Sequence, residues 1–337
     1  MLIALGVLCG GALVAVAAYL AAAAMQEYRR DRVPTLLYHR FLGPDEYARA
    51  RAEGEDLSYV TEAGAFAAQM EHLASAGYTT ISLDQLLEFL ERGAALPPRP
   101  IVITCDDGFE SNYRHAFPVL RRLGMRATVF MTADRASENF ARYARFDAPL
   151  TDAQLSELSR NGVAIESHGM THRFLSDLPE EEVRWELEET RVRLARITGR
   201  PVRFFAVPSG AYSPTVRRLA IRAGYEAVYC MKHGSNSRAS DRFALRRLTV
   251  GKDFDLDDFK RLLTPAAACQ LRIVNALNNG LRITLGSRRL DALHDLLYKA
   301  GVRAWLRPER LKYVLFAGVG IAAAILAAIV FGVARGR

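Results

Sequence analysis

Cysteine is scarce in this 337-residue chain, and the four that occur, Cys9, Cys105, Cys230 and Cys269, show neither a CxxC pair nor metal-ligand spacing. A cysteine-built metal site is excluded; each thiol reads as buried and inert, and an oxidising compartment is neither required nor ruled out. Charge is missing altogether from Leu2 to Ala24 and from Tyr313 to Val333. Each run is about the 20 residues needed to cross a bilayer, and both read as transmembrane helices. No basic residue precedes the first run, and it outlasts the roughly 7–15-residue apolar core of a cleaved signal peptide. Apolar mass is not lacking. Half of all positions are hydrophobic, which excludes disorder and supplies the core of one large domain with appendages.

A net charge of +8 raises the question of nucleic acid, and its placement answers it. Gln270 to Lys312 carries nine Lys or Arg against three Asp or Glu, and Arg335 and Arg337 follow, so residues 1–269 are nearly neutral. A nucleic-acid binder would carry its basic face on the folded domain. Basic residues interleaved with Leu, Ile, Val and Trp305 instead predict amphipathic helices lying on anionic headgroups. The expected organisation is a membrane span over 1–25, a catalytic domain over 26–264, basic surface helices over 265–312 and a second span over 313–334.

Between the spans, short apolar runs alternate with helical spacing. Strand-like runs at Val33–Tyr38, Thr79–Leu83, Ile101–Thr104, Ala127–Met131, Val163–Ile165, Val202–Val207, Tyr225–Cys230 and Phe243–Val250 are separated by amphipathic patterns such as Thr61–Ala76 and Glu180–Thr198. This alternation predicts an α/β fold, a distorted (β/α)7–8 barrel, with an open doubly wound sheet as the alternative. Either architecture gathers chemistry at the carboxyl ends of the strands. There Ile101–Thr104 runs into Cys105-Asp106-Asp107-Gly108, two adjacent acids that need a cation or a reactive role if buried. Val163–Ile165 runs out into His168 and His172, four apart. Two imidazoles and a carboxylate with open positions make a catalytic divalent site, zinc by default. The turn Pro208-Ser209-Gly210 can present backbone N–H groups to an oxyanion.

These pieces, in this order, resemble the polysaccharide deacetylase superfamily, carbohydrate esterase family 4 with its NodB-like domain, over roughly Val33 to Leu263. Thr104–Gly108 resembles the first motif, His168–His172 the metal-binding pair and Phe205–Gly210 the third motif. Leu36-Leu37-Tyr38-His39-Arg40 and Ala127-Thr128-Val129-Phe130 are further echoes. The resemblance implies hydrolysis of an N-acyl group, usually acetyl, on an amino sugar. Asp107, His168 and His172 would hold a divalent metal, most simply Zn2+. Asp106 would be the general base, with a backbone N–H near Ser209 as oxyanion donor.

Departures from the pattern are as informative. Ala206 stands where many members carry an arginine paired with the base, Ser209 replaces a tyrosine, and the late tryptophan and histidine motifs are not evident. Members resembling the poly-N-acetylglucosamine deacetylases carry a late arginine that Arg247 matches. Arg247 is therefore expected beside Asp106, and His39 or His233 is expected to protonate the leaving amine. The expected substrate is an amino-sugar glycan or a lipid-linked sugar, with anionic membrane lipid as the other partner. The alternatives are an inactive membrane-anchored glycan-binding module, an N-deformylase or an O-deacetylase. Arg29, Arg30 and Arg32 after the first run, and Arg303, Arg307, Arg310 and Lys312 before the last, place the domain on the cytoplasmic face of an inner-type membrane, the periplasmic face being the alternative.

Overall fold

The computed structural model describes residues 18–143, 146–252 and 254–273. The chain divides into two compact units, Met1–Cys269 and Gln270–Arg337. The predicted span over Tyr313–Val333, most of the basic surface helices and most of the Leu2–Ala24 span lie outside the described residues. Among the described residues, no helix is long and apolar enough to cross a membrane.

In chain order the strands are β1 (Thr35–Tyr38), β2 (Arg40–Leu42), β3 (Val60–Glu62), β4 (Thr79–Thr80), β5 (Pro100–Asp107), β6 (Ala127–Met131), β7 (Val163–Ser167), β8 (Phe204–Ala206), β9 (Ala227–His233) and β10 (Leu245–Thr249). The helices are α1 (Pro44–Ala52), α2 (Ala63–Ser75), α3 (Leu83–Arg92), α4 (Phe117–Arg122), α5 (Glu138–Tyr143), α6 (Asp152–Arg160), α7 (Glu180–Thr198), α8 (Pro214–Arg222) and α9 (Leu256–Leu262).

Seven parallel strands, ordered β1-β5-β6-β7-β8-β9-β10, close into a barrel because β1 pairs with both β5 and β10. Closure overturns the open-sheet alternative. β4 is an eighth, appended strand: Thr79 and Thr80 lie opposite Pro100 and Ile101, and β1 takes over the same edge of β5 from Val102 onward. Strands flanked on both sides must be apolar on both faces, and β5 is buried from Ile101 to Asp107. The barrel interior is filled by Val102, Phe130, Phe204, Tyr229 and Leu245 from five strands. Helices start where the sequence offers caps: Ser82 with Gln85 opens α3, and Thr151 with Gln154 opens α6, each as a reciprocal capping box.

Two features escaped the sequence pattern. The excursion β2-α1-β3 fills residues 40–62, and α1 buries only Ala50, so it has no apolar stripe to read. The segment leading into α4 opens as a π turn over Asn112–Ala116 ahead of Pro118. That turn sends the Asn112 side-chain amide to the His39 carbonyl at 2.8 Å.

Candidate metal centre

Asp106 and Asp107 end β5, His168 follows β7, and Arg247 lies in β10. Of the four positive-φ non-glycine residues among the described residues, three gather here: Asp107 at +72°, His172 at +63° and Ser209 at +52°. Left-handed backbone at such residues costs about 1–3 kcal/mol each and persists where the surroundings enforce it for function. Gly108, at φ +90°, must be glycine, because a Cβ there would come 2.0 Å from Met131 Sδ. The sharp turn holds Asp107 with its carbonyl accepting from the Thr132 amide at 2.9 Å.

The side chains converge. His172 Nε2 lies 3.3 Å and His168 Nε2 3.7 Å from Asp107 Oδ1. One ligand atom from each of Asp107, His168 and His172 falls within 4.8 Å of the others. The donor set fits a divalent cation, because His168 Nδ1 is engaged by the Ala206 carbonyl at 2.8 Å, which leaves Nε2 toward the cluster. Burial pushes His168 down to about 3 and lowers His172, so both rings are neutral and their lone pairs available. Burial, reinforced by neighbouring Asp106, raises the Asp107 carboxyl to about 6.

Asp106 has the opposite surroundings. The Arg247 guanidinium grips it with two bonds, Nη1 to Oδ1 at 2.6 Å and Nη2 to Oδ2 at 2.8 Å, with both side chains buried. Burial acts to raise this carboxyl, but Arg247, His168 and His39 outweigh it and hold Asp106 below the usual carboxylate range. Arg247 also lies over the edge-to-face Phe130–Tyr229 pair, 5.8 and 5.7 Å from the two ring centroids. Asp106 Oδ2 remains 3.7 Å from His168 Nε2, at the edge of the cluster.

His39 reaches the same field: burial lowers its imidazole, while Asp107 and Asp106 act to raise it. His233 does not. Its Nδ1 is buried without a hydrogen bond, and beyond burial the groups acting on it are Arg247's backbone and Arg246. Ser209 is exposed in the short Pro208–Gly210 turn after β8.

The family model for polysaccharide deacetylases matches residues 93–228, which span both carboxylates and both imidazoles. The chain carries a polysaccharide deacetylase domain. YxkH of Bacillus subtilis (strain 168), whose name places it among the polysaccharide deacetylases, is 26% identical over 219 residues, covering 65% of this chain and 71% of its own. Among solved structures, the Streptococcus pyogenes deacetylase PplD in complex with acetate superposes with a TM-score of 0.60 at 21% identity, over 69% of this chain and 99% of its own. IcaB from Ammonifex degensii gives 0.59 at 21% identity, over 72% and 98%. These two likenesses concern the fold.

The deacetylase domain also uses residues that the sequence pattern did not single out. Glu186 of α7, fully buried, accepts from the Met170 amide at 2.6 Å and the Thr171 amide at 3.0 Å, and it takes the Thr171 hydroxyl as well. It thereby fixes the loop between the two histidines. The signal was there: Glu186 falls on the stripe Val183, Leu187, Thr190 and Leu194, where a charge has no solvent to face. Asn139 of α5 donates to Asp107 Oδ1 at 3.3 Å, and nothing in the sequence around it announces that role.

Proposed function

We propose that this protein is a membrane-anchored, metal-dependent deacetylase that removes an N-acyl group, acetyl first, from an amino sugar of a glycan. The observation that carries this reading is the division of labour between adjacent acids, one facing two free imidazole nitrogens and the other locked to Arg247.

Asp107, His168 and His172 would hold the ion, with zinc matching two imidazoles and a carboxylate. Bound there, a divalent cation supplies Lewis acidity, polarising an acyl oxygen and acidifying a water. Asp106 takes the proton of the attacking water, and Arg247 keeps that carboxylate ionised until it does. The Ser209 backbone N–H donates to the acyl oxygen as charge develops on it. His39, with Asp107 and Asp106 acting to favour its charged ring, takes up a proton before the reaction and delivers it to the amine nitrogen as the C–N bond breaks, while the proton on Asp106 leaves to solvent, so that acetate and the free amino sugar depart. The bidentate Arg247–Asp106 pair supports an enzyme over an inactive module, because it supplies the charge that Ala206 lacks. N-deformylation or O-deacetylation would use the same groups.

Anchoring rests on the two uncharged terminal runs. Arg32 Nη2 donates to the Leu263 carbonyl at 3.0 Å, and Val33 bridges to Asn236 just before β1, so the chain enters the barrel and reaches Leu263 at its amino-end face. The site sits at the other end of β5, roughly 20 Å away over seven residue steps. That distance supports a glycan standing off the bilayer over a sugar lying at headgroup level. The flanking arginines favour the cytoplasmic face, which reporter fusions after Arg32 and at the C-terminus test.

The activity is tested with the full-length chain loaded with zinc. Acetate release from an N-acetylglucosamine oligosaccharide is expected from the wild type and lost in Asp106→Asn. Zinc binding without release of acetate or formate from any N-acyl or O-acetyl sugar would favour the module instead.

A further inference from the structure

The chain ahead of β1 does more than lead into the barrel. Residues 18–27 are helical, and Ala23 and Glu27, one turn apart, form the buried face of that helix. The two carboxylate oxygens of Glu27 accept from the Ser235 amide at 3.0 and 3.2 Å, 208 positions along the chain. Gln26 Nε2 donates to Ser237 Oγ at 2.7 Å, and Asp31 Oδ2 accepts from the Arg238 amide at 3.3 Å. Val33 and Asn236 exchange both backbone bonds, at 2.7 and 2.9 Å. The seam is polar yet closed to water: Glu27, Thr35, Ser235, Asn236 and Ser237 are all completely buried. Asn236 carries it on to β10. Its Oδ1 accepts from the Arg246 amide at 2.9 Å, and its Nδ2 donates to the Arg246 carbonyl at 3.0 Å and to Thr35 Oγ1 at 3.3 Å. The Arg246 guanidinium in turn donates to the His233 carbonyl at 3.1 Å.

Arg246 lies where the pairing of β10 with β9 shifts register, between Leu245 opposite Tyr229 and Arg247 opposite His233. Such a shift disrupts a ladder locally, and here one side-chain amide bonds both backbone groups of the residue inside it. The next residue is Arg247, whose fork grips Asp106. An apolar side chain at position 27 would seat a helix on the barrel at lower desolvation cost than a carboxylate does. Hydrogen bonds, unlike apolar contact, single out one arrangement of the segments they join. We propose that Glu27 and Asn236 are positioning residues for Arg247. The segment that follows the first uncharged run clamps the β9–β10 connection, and that connection holds β10 at the height where the guanidinium meets Asp106. A two-bond fork tolerates little displacement, so slack in the clamp loosens the grip on the base. The consequence for turnover rests on the deacetylase reading, whereas the clamp on β10 is read without it.

The test compares the full-length, zinc-loaded chain in detergent as wild type, Glu27→Ala, Glu27→Gln, Asn236→Ala and Tyr28→Ala, the last removing an exposed ring beside Glu27. Hydrogen–deuterium exchange reads the clamp without turnover. Residues 234–249 are expected to exchange about tenfold faster in the two buried-site alanine variants, with β6 and β7 unchanged. Glu27→Gln keeps an acceptor for the Ser235 amide and should match wild type, as should Tyr28→Ala. In acetate release from an N-acetylglucosamine oligosaccharide, Glu27→Ala and Asn236→Ala should lower kcat about tenfold while KM and zinc content hold. In an Arg247→Lys background, which keeps the charge and lacks the fork, the same substitutions should lower kcat by less than about twofold. Faster exchange confined to residues 26–33, or a kcat loss undiminished in Arg247→Lys, would overturn the positioning role. Exchange that spreads into β10 in a chain releasing no acetate would leave the clamp standing and remove the deacetylase reading. Acetate release indifferent to both alanine variants would keep that reading and overturn the positioning role. Glu27→Ala, which leaves the Asn236 side chain in place, decides the matter if Asn236→Ala does not fold.

Discussion

Asp106 and Asp107 are neighbours in the chain, yet their surroundings assign them opposite duties. Asp107 faces two imidazoles and has no Lys or Arg at ion-pair distance among the described residues, which suits a metal ligand. Asp106 is neutralised by Arg247 and stays ionised, which suits a proton acceptor. Asp106→Asn should therefore retain metal while turnover falls by about 10²–10⁴-fold, as removal of a general base does. Arg247→Ala leaves a buried carboxylate unpaired, and we expect a loss of about 3–5 kcal/mol in urea unfolding together with most of the activity. The acids and the histidine pair were legible because each ends an apolar run, where a barrel puts its chemistry. Arg247 is 141 positions from its partner, and only the family resemblance pointed to it. Asn139 was not legible, since a polar residue on a short helix looks the same whether or not it touches Asp107.

Turns and caps hold these residues in place, and they give predictions of their own. Gly108→Ala combines a left-handed backbone with collision against Met131, whereas Gly124→Ala has φ +62° and open space around it. The first should cost about 3 kcal/mol and the second about 1, so thermal unfolding should separate the two variants by several degrees. In α1, Glu46 accepts from Arg114 at 2.5 Å and from the Gly43 amide at 2.8 Å, and it bonds the His115 ring at 2.8 Å. Burial acts to raise this carboxyl, but those bonds outweigh it and hold it at about 2, below its ordinary value of 4.5. A depressed carboxylate stabilises the fold above its unfolded pKa, and that contribution is lost as pH falls through the folded one. Glu46→Gln should thus be less stable than wild type by about 1 kcal/mol at pH 5–7, the gap closing toward pH 2. The β2-α1-β3 excursion that carries Glu46 was invisible in the sequence, because three-residue strands and a helix without an apolar face leave no period to detect. Long amphipathic helices and β-branched runs did leave one, and they appear where they were expected.

At the scale of the whole molecule, closure by β1 between β5 and β10 brings residues 39, 106, 168 and 247 to one rim and leaves the chain's entry at the other. Alternating strand and helix spacing made the barrel readable; the number of strands was not readable, because β4 looks like a barrel strand until its pairing with β5 is seen. If the uncharged terminal runs anchor the protein, the full-length chain should stay with membranes through alkaline carbonate and leave them only with detergent. The account stands most directly on metal stoichiometry, measured by elemental analysis of the full-length chain dialysed against zinc. It predicts about one ion per chain in the wild type and in Asp106→Asn, and none in Asp107→Ala or in a His168→Ala, His172→Ala double variant. A wild type without zinc, or an ion that persists when both histidines are gone, would contradict it.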